Sequence, residues 1–469
     1  MIRIVGGGLA GSEAAWQAAR RGVPVSLHEM RPVRSTAVHR TDRLAELVCS
    51  NSFRGDSLEN AVGLLKEEMR RLGSLVMRVG DETRVPAGGA LAVDRERFAA
   101  GVTAALEAEP LIAIHREEVQ RIPEASAASP VVVATGPLTS PDLAAGLTAL
   151  VGREQLYFFD AISPIVLADS IDRSRVFRAS RRVRRERTKE LAVGRTCGAG
   201  GEEEGDYLNC PMTAEEYHRF HAALTSAELA ELHDFDRTPY FEGCLPIEVM
   251  AHRGVDTLRF GPMKPVGLTD PATGRQPYAV VQLRQDNLAA DHFSLVGFQT
   301  QLRWPEQRRV LRMIPGLEQA EFVRLGMIHR NTYINAPSVL APTWQTRARP
   351  GLFIAGQVSG VEGYVESAAS GLVAGLNAAA LARGEEPRAP PRTTALGALA
   401  HYVSHADPSH YQPTNIAFGL IPVVAGAPRG RQARRRAVAE RALADLAAWR
   451  GGDPEASAAA ALQTGGAAQ

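Results

Sequence analysis

Two of the four cysteines in this chain stand where a thiol could react. Cys49 closes the apolar Leu47-Val48 and is followed by Ser50-Asn51-Ser52-Phe53-Arg54. Cys244 lies between Gly243 and the Leu245-Pro246 turn, in Phe241-Glu242-Gly243-Cys244-Leu245-Pro246-Ile247-Glu248. A thiolate is a strong nucleophile and a usable base once a cation or dipole favours the anion. Taken singly, each is more often an inert buried thiol, and Cys210, in Asn209-Cys210-Pro211-Met212, reads the same way. Cys197 falls in a polar interruption and is incidental. There is no C-x-x-C, no H-E-x-x-H and no P-loop, so no metal site and no triphosphate site are expected. The other chemical signal is Gly6-Gly7-Gly8-Leu9-Ala10-Gly11, a G-x-G-x-x-G, with Glu29 downstream. Such glycines permit a tight turn and close approach of a pyrophosphate, and a terminal acid can accept both ribose hydroxyls.

These residues need elements to hold them. The pattern predicts a strand at 2–5, a helix at 12–21 ending at Gly22, and a strand at 23–28 closed by Glu29. Together they form a complete dinucleotide-binding unit. A helix at 94–107, a strand at 111–114 and the buried run Val131-Val132-Val133-Ala134-Thr135-Gly136 extend it. Between about 170 and 325 helical pieces (213–224) mix with strand-like runs (278–283, 293–298). Within that stretch, 181–204 reads as a mobile polar loop. The nucleotide-binding pattern then resumes at 351–356, a strand running into Gly356, and at a helix over 363–383 that opens with Gly363, Glu366 and Ser367. N–H groups at such a helix start suit the electron-rich edge of a flavin. Two half-sites at opposite ends of the sequence favour FAD over NAD, which stays as the alternative. No second G-x-G-x-x-G of similar quality offers NADH or NADPH a dedicated site.

The expected fold class is therefore α/β, a Rossmann-like FAD-binding domain interrupted by an α+β insertion domain. The divisions are 1–169, 170–325, and 326–450 with an Arg-rich C-terminal helix over 429–450, then a flexible tail at 451–469. The length of 469 residues suits two or three domains. A net charge of +1 announces no bulk polyanion binder, but Arg434, Arg435 and Arg436 form a dense cationic cluster suited to phosphate, against a plain solvated face. Lys66, Lys189 and Lys264 are the only lysines, against an arginine-dominated background. No apolar run approaches the roughly 20 residues of a membrane helix. With a strand starting at residue 2 there is no room for a signal peptide, so a cytoplasmic, membrane-free protein is expected. The oligomeric state is not legible.

The arrangement as a whole resembles a known family, the bacterial folate- and FAD-dependent tRNA (uracil-5-)-methyltransferases. The resemblance runs over nearly the full chain, through 6–13, Glu29-Met30-Arg31-Pro32, 46–53, 85–95, 134–138, 207–212, 241–248, 260–268, 329–337 and 355–371. It implies an FAD domain split by an insertion, and formation of 5-methyluridine in the tRNA T-loop with carbon from methylenetetrahydrofolate. Uracil C5 is a poor nucleophile; a thiolate adding at C6 makes it an enolate that can attack the folate methylene. A base then removes the C5 proton, tetrahydrofolate leaves, and reduced flavin delivers hydride to the exocyclic methylene. By resemblance Cys244 is the nucleophile and Cys49 the base near the flavin, although either thiol could in principle attack. Gly6, Gly7, Gly8, Leu9, Ala10, Gly11 and Glu29 would hold the adenosine end of FAD, and Gly356, Gly363, Glu366 and Ser367 would lie near its isoalloxazine.

Softer roles go to Lys264, in a Gly/Pro-framed loop, and to His329, Arg330 and Asn331 beside a folate pocket. Arg284, Arg330 and the 434–436 cluster are candidates for the folate glutamate tail or tRNA phosphate. Free NADH or NADPH would reduce the flavin. The 181–204 stretch is longer than the family pattern. Rival readings are the related tRNA wobble-uridine modifiers, a flavin enzyme acting on a small molecule, and a non-catalytic flavin-containing RNA binder. The chain is short for the first; tRNA binding and the need for Cys244 separate the other two.

Overall fold

A parallel sheet built around the strand Ile2–Val5 positions everything else in this computed structural model, which describes residues 1–36, 38–151, 156–181, 205–230 and 245–451. Its five strands run in the order Leu352–Ile354, Val131–Val133, Ile2–Val5, Val25–Glu29, Ile112–Arg116. Ile4 pairs with Leu27 on one side and Val132 on the other. The central strands are rich in Val, Ile and Leu, as strands covered on both faces must be. The strand order reverses at Ile2–Val5, and a ligand crevice forms beyond the carboxyl ends at such a switch point.

The predicted helix at 12–21 starts three residues earlier, as Leu9–Ala19, because the glycine turn is itself its first turn, with extended Gly8 as N-cap. Its Ala10, Ala14, Ala15, Ala18 and Ala19 are all buried. They meet the helix Tyr364–Ala382 at Gly371 and Gly375. A Cβ at Gly371 would stand 2.1 Å from the Ala10 carbonyl oxygen, and one at Gly375 would stand 2.5 Å from that of Ala14. The two helix backbones therefore touch, and only glycine fits. The 19-residue helix Tyr364–Ala382 is long and apolar enough to cross a membrane, which corrects the reading that no run approaches that length. Its composition of Ala, Gly and Ser hid it from inspection, and the burial of 78% of its apolar window makes it a core helix.

A second, six-stranded antiparallel sheet runs in the order Phe177–Ala179, Tyr207–Met212, Ala279–Gln285, His292–Leu295, Ile165–Leu167, Phe322–Arg324. The helix Ala214–Thr225 packs on it, its start set by a reciprocal capping box between Thr213 and Glu216. The chain enters and leaves this unit through Leu156–Ala161 and Ile328–Tyr333, which pair antiparallel. The strand expected at 293–298 ends at Leu295, because Gly297 turns with φ +76°. A three-stranded sheet of Ser52–Gly55, Ala90–Val93 and Arg84–Val85 links the two units.

Buried carboxylates close helix ends across the core. Glu13 accepts from Ser74 Oγ at 2.8 Å and Val76 N–H at 2.9 Å, and Glu68 accepts from Ala395 and Leu396 N–H at 2.7 and 2.8 Å. Each satisfies N–H groups that a helix cannot satisfy itself. Burial pushes the Glu68 carboxyl up to about 8. Of the mobile loop expected at 181–204 and the tail expected at 451–469, residues 182–204 with Cys197 and those from 452 lie outside the described residues, while Arg181 donates to the Lys264 carbonyl at 2.7 Å and Gly451 ends a helix. The Arg-rich helix is Arg431–Gly451.

Candidate active site

The glycine turn works through what each missing side chain leaves room for. A Cβ at Gly6, which has φ +102°, would sit 2.5 Å from the Ala134 carbonyl oxygen, and one at Gly11 would sit 1.8 Å from that of Gly6. Gly7 would strike Leu44 and the Glu29 carboxylate. Gly8 has nothing within 4 Å, so bare backbone faces the cleft there. Gly6, Gly7 and Gly8 with Leu9 and Ala10 line a cleft enclosing about 1050 Å³, open solvent at its mouth included; Gly11 lies behind them. The N–H groups of the helix start point at it, which suits a pyrophosphate.

Glu29 ends its strand at the cleft. Its Oε2 accepts from Gly7 N–H at 2.9 Å, and its Oε1 accepts from Arg31 N–H at 3.0 Å and Nε at 2.8 Å. Burial pushes the carboxyl up, but the Arg31 hydrogen bonds and charge outweigh it and hold the group below its ordinary value. Arg31 in turn donates to Glu46 at 3.0 Å. A carboxylate has about four lone-pair sites, so room remains for a ribose hydroxyl. His39, which the sequence did not single out, also lines the cleft, and burial and then Arg31 hold its imidazole down to about 4.

The other half of the wall comes from the far end of the chain. Gly356, Gln357, Tyr364 and Ser367 line it; Gly363 and Glu366 stand just behind. Glu366 is fully buried, pairs with Arg54 and accepts from Ile416 N–H at 2.9 Å. Its carboxylate braces the loop rather than lining the cleft. Gly363, at φ +106°, leaves space that a Cβ would take from the Glu366 carboxylate, 2.5 Å away.

Cys49 adjoins this wall. Tyr364 Oη accepts from the Cys49 and Ser50 N–H groups at 2.7 and 3.1 Å, and Val48 lines the cleft. Asn51, fully buried, donates to the carbonyls of Val93 and Gln285 at 3.0 Å each. Arg284 Nε donates to Asn51 Oδ1 and its Nη2 to Ser50 Oγ, both at 2.8 Å. Arg95 donates to the Leu47 carbonyl at 3.1 Å and pairs with Asp286 at 2.9 Å. Fully buried Lys66 holds the carbonyls of Phe53 and Arg54 at 3.3 and 3.1 Å, and burial holds its ammonium down to about 8. Arg95, Arg284 and Arg324 lie within electrostatic reach of Cys49. The loop is thus fixed by residues far away in sequence, with arginines among them.

Other expected residues are spread more widely. Cys244 lies outside the described residues. His329, Arg330 and Asn331 occupy the strand Ile328–Tyr333. Cys210 is fully buried on the second sheet, and burial pushes its thiol well up, which fits an inert thiol. Arg284 is buried with its donors on the Cys49 loop, not turned outward to a phosphate chain. Lys264 is exposed on the loop after the helix Thr257–Phe260. Arg434, Arg435 and Arg436 diverge: Arg435 lies over the Phe418 ring and donates to the Glu59 carbonyl, while the other two are exposed. Successive helical residues point about 100° apart, so a run of three cannot form one patch. Sequence reasoning missed Tyr364, Arg95, Asn51 and Arg324; their only signal was a polar side chain beside or within an apolar run. No group of His, Cys, Asp and Glu able to hold a metal occurs among the described residues.

The family model described as glucose inhibited division protein A matches residues 1–386. The chain is 58% identical over 451 residues to the methylenetetrahydrofolate–tRNA-(uracil-5-)-methyltransferase TrmFO of Symbiobacterium thermophilum, covering 96% of each. It is 59% identical over 449 residues to that of Desulforudis audaxviator, covering 96% of this chain and 98% of the relative. Among solved structures it is similar to Aquifex aeolicus GidA in its form I crystal, with a TM-score of 0.65 at 20% identity over 95% of this chain and 76% of that one. That likeness speaks to the fold alone.

Proposed function

The chain belongs to the methylenetetrahydrofolate–tRNA-(uracil-5-)-methyltransferase family, and on that premise we propose that it carries a one-carbon unit from methylenetetrahydrofolate to C5 of the T-loop uridine of tRNA, forming 5-methyluridine. The observation that carries this reading is a thiol, Cys49, fixed beside a dinucleotide cleft in a chain alike from end to end to enzymes so named.

The cleft residues fit FAD: bare Gly8 would take the pyrophosphate, Glu29 the ribose, and the backbone around Gly356 and Ser367 would hold the isoalloxazine. Bound and reduced, it supplies the hydride that turns a methylene on C5 into methyl. The protein residues do the rest. The Cys244 thiolate adds to uracil C6, which puts electron density on C5 and lets it attack the folate methylene carbon. The Cys49 thiolate takes the C5 proton as tetrahydrofolate departs, and Cys244 leaves C6 when the methyl is complete. Arg95 and Arg284 hold the Cys49 loop in place for this. Lys264, His329, Arg330 and Asn331 are assigned to folate or tRNA contact, and the exposed Arg434 and Arg436 to tRNA phosphate. NADH or NADPH serves as a diffusing reductant.

The test is 5-methyluridine in digested tRNA transcript, read by mass spectrometry after incubation with flavin-loaded protein, methylenetetrahydrofolate and NADPH. Product that requires folate and disappears in both Cys49→Ala and Cys244→Ala is expected. A covalent complex with 5-fluorouridine RNA should survive Cys49→Ala and vanish in Cys244→Ala. No product from well-folded, flavin-loaded wild type sinks the reading.

A further inference from the structure

The residues between Arg31 and Glu46 fold back on the phosphate-binding turn and bring one imidazole with them. Ala45 N–H donates to the Gly7 carbonyl at 2.9 Å, which sets the end of this stretch on the turn itself. Glu46, the next residue, accepts from Arg40 N–H at 2.9 Å and from the Thr41 N–H and hydroxyl at 3.1 and 2.8 Å. His39, joined to Arg40, is thereby held at the cleft, which it lines with Thr36, Glu46 and Val48. Its ring is fixed from one side. Thr36 Oγ1 accepts from His39 N–H at 3.1 Å and from Val38 N–H at 3.4 Å, and stands 2.7 Å from His39 Nδ1. Two N–H groups fill the lone pairs of that hydroxyl, so its own proton goes to Nδ1. The imidazole, held down to about 4 by burial and then by Arg31, stays neutral and carries its proton on Nε2. Nε2 has no hydrogen-bond partner among the described residues and is not among the atoms buried without one, so this N–H opens on the cleft.

The other nitrogen-bearing side chains of the wall have partners. His28 meets Ser26 and Glu117 with its two ring nitrogens, at 2.7 and 2.8 Å. Gln357 donates to Glu362 at 2.7 Å, and Arg31 is balanced by Glu29 and Glu46. Glu117 and Glu118 add carboxylates to the lining, so a diphosphate depends on the backbone N–H groups of the helix start and on the His39 N–H. We infer that His39 is a cofactor-binding residue whose Nε2–H donates to a diphosphate oxygen of the bound dinucleotide. The inference rests on the reading of the cleft as an FAD site and adds a side-chain donor to the backbone donors of the turn. It gives the 36–46 stretch a part in holding the cofactor: Thr36 sets the tautomer of His39, and Glu46 sets its place.

The test uses full-length protein stripped of flavin and reads ADP and adenosine binding by calorimetry. ADP carries the adenosine end of FAD with its diphosphate; adenosine carries the same end without it. His39→Leu should weaken ADP binding about tenfold or more and leave adenosine within about twofold of wild type. His39→Gln, whose amide N–H reaches close to the Nε2 position, should hold ADP within about threefold of wild type. Equal loss of ADP and adenosine in His39→Leu overturns the inference, since that pattern reports only a misshapen cleft. So does ADP binding that His39→Leu leaves unchanged, or that His39→Gln lowers as far as His39→Leu does. If the Leu variant does not fold, His39→Phe, a ring without nitrogen, makes the same comparison. A wild type that binds neither ADP nor FAD removes the dinucleotide reading and the inference with it. A wild type that binds both, beside a Leu variant that binds ADP equally well, removes the inference alone.

Discussion

The glycine turn and the Cys49 loop adjoin one cleft and are built in opposite ways. The turn is contiguous: strand, glycines, helix, strand and acid follow one another from Ile2 to Glu29, and its constraints are steric, between Gly11 and Gly6 within the turn and from Gly6 and Gly7 to Ala134 and Leu44 beside it. The loop holds almost nothing by itself. Arg95, Arg284, Asn51 and Tyr364 fix it through hydrogen bonds that span up to 315 residues. A locally built element fails when its own shape changes. A remotely built one fails when any of several distant partners is lost.

That contrast can be broken at its strongest point first. Gly11→Ala puts a methyl 1.8 Å from the Gly6 carbonyl oxygen and should cost about 3 kcal/mol or more, leaving little soluble flavoprotein. Gly8→Ala in the same turn meets nothing within 4 Å. It should leave the melting temperature of flavin-free protein unchanged while weakening flavin binding about tenfold in a fluorescence titration. Equal damage from both would mean the turn is not steric in the way described. Asn51→Ala strands the Val93 and Gln285 carbonyls and the Arg284 Nε, and should cost about 2–4 kcal/mol in urea unfolding, with 5-methyluridine formation falling alongside. Tyr364→Phe removes only the acceptor for two N–H groups. About 1–2 kcal/mol of stability should go, flavin should remain, and product formation should drop.

A pH titration should separate stability from chemistry. Glu68 titrates near 8 in the folded chain against an ordinary 4.5, so the native state binds the proton more tightly. Its stabilising contribution is therefore full below about 4.5 and is lost as pH rises through about 8, with a slope of at most about 1.4 kcal/mol per unit. Glu68→Gln should flatten that slope in melting curves without altering Cys49 alkylation.

The same contrast sets how much was legible in the sequence. The turn could be read because every part of it lies within one short segment, and the parallel sheet followed from it. The surroundings of Cys49 could not. Arg324 sits at the end of a three-residue edge strand, where alternation alone does not say which face is covered. Glu366 reads as a flavin neighbour from its place in a helix first turn, yet its carboxylate turns back to Arg54 and Ile416. Three consecutive arginines look like one cluster in a string of letters and point three ways on a helix.

Gly371 and Gly375, pressed on the backbone of Ala10 and Ala14, tie the helix Tyr364–Ala382 to the first helix of the chain. On the ribosome this imposes an order of events. The phosphate-binding turn emerges almost at once, but its opposite wall is still unwritten for some 350 codons, on the order of tens of seconds of elongation. A nascent chain cannot take up its cofactor during that interval, so loading is a late step. A chain stalled before the helix Tyr364–Ala382 would carry an open half-site that quality control could distinguish from a finished enzyme.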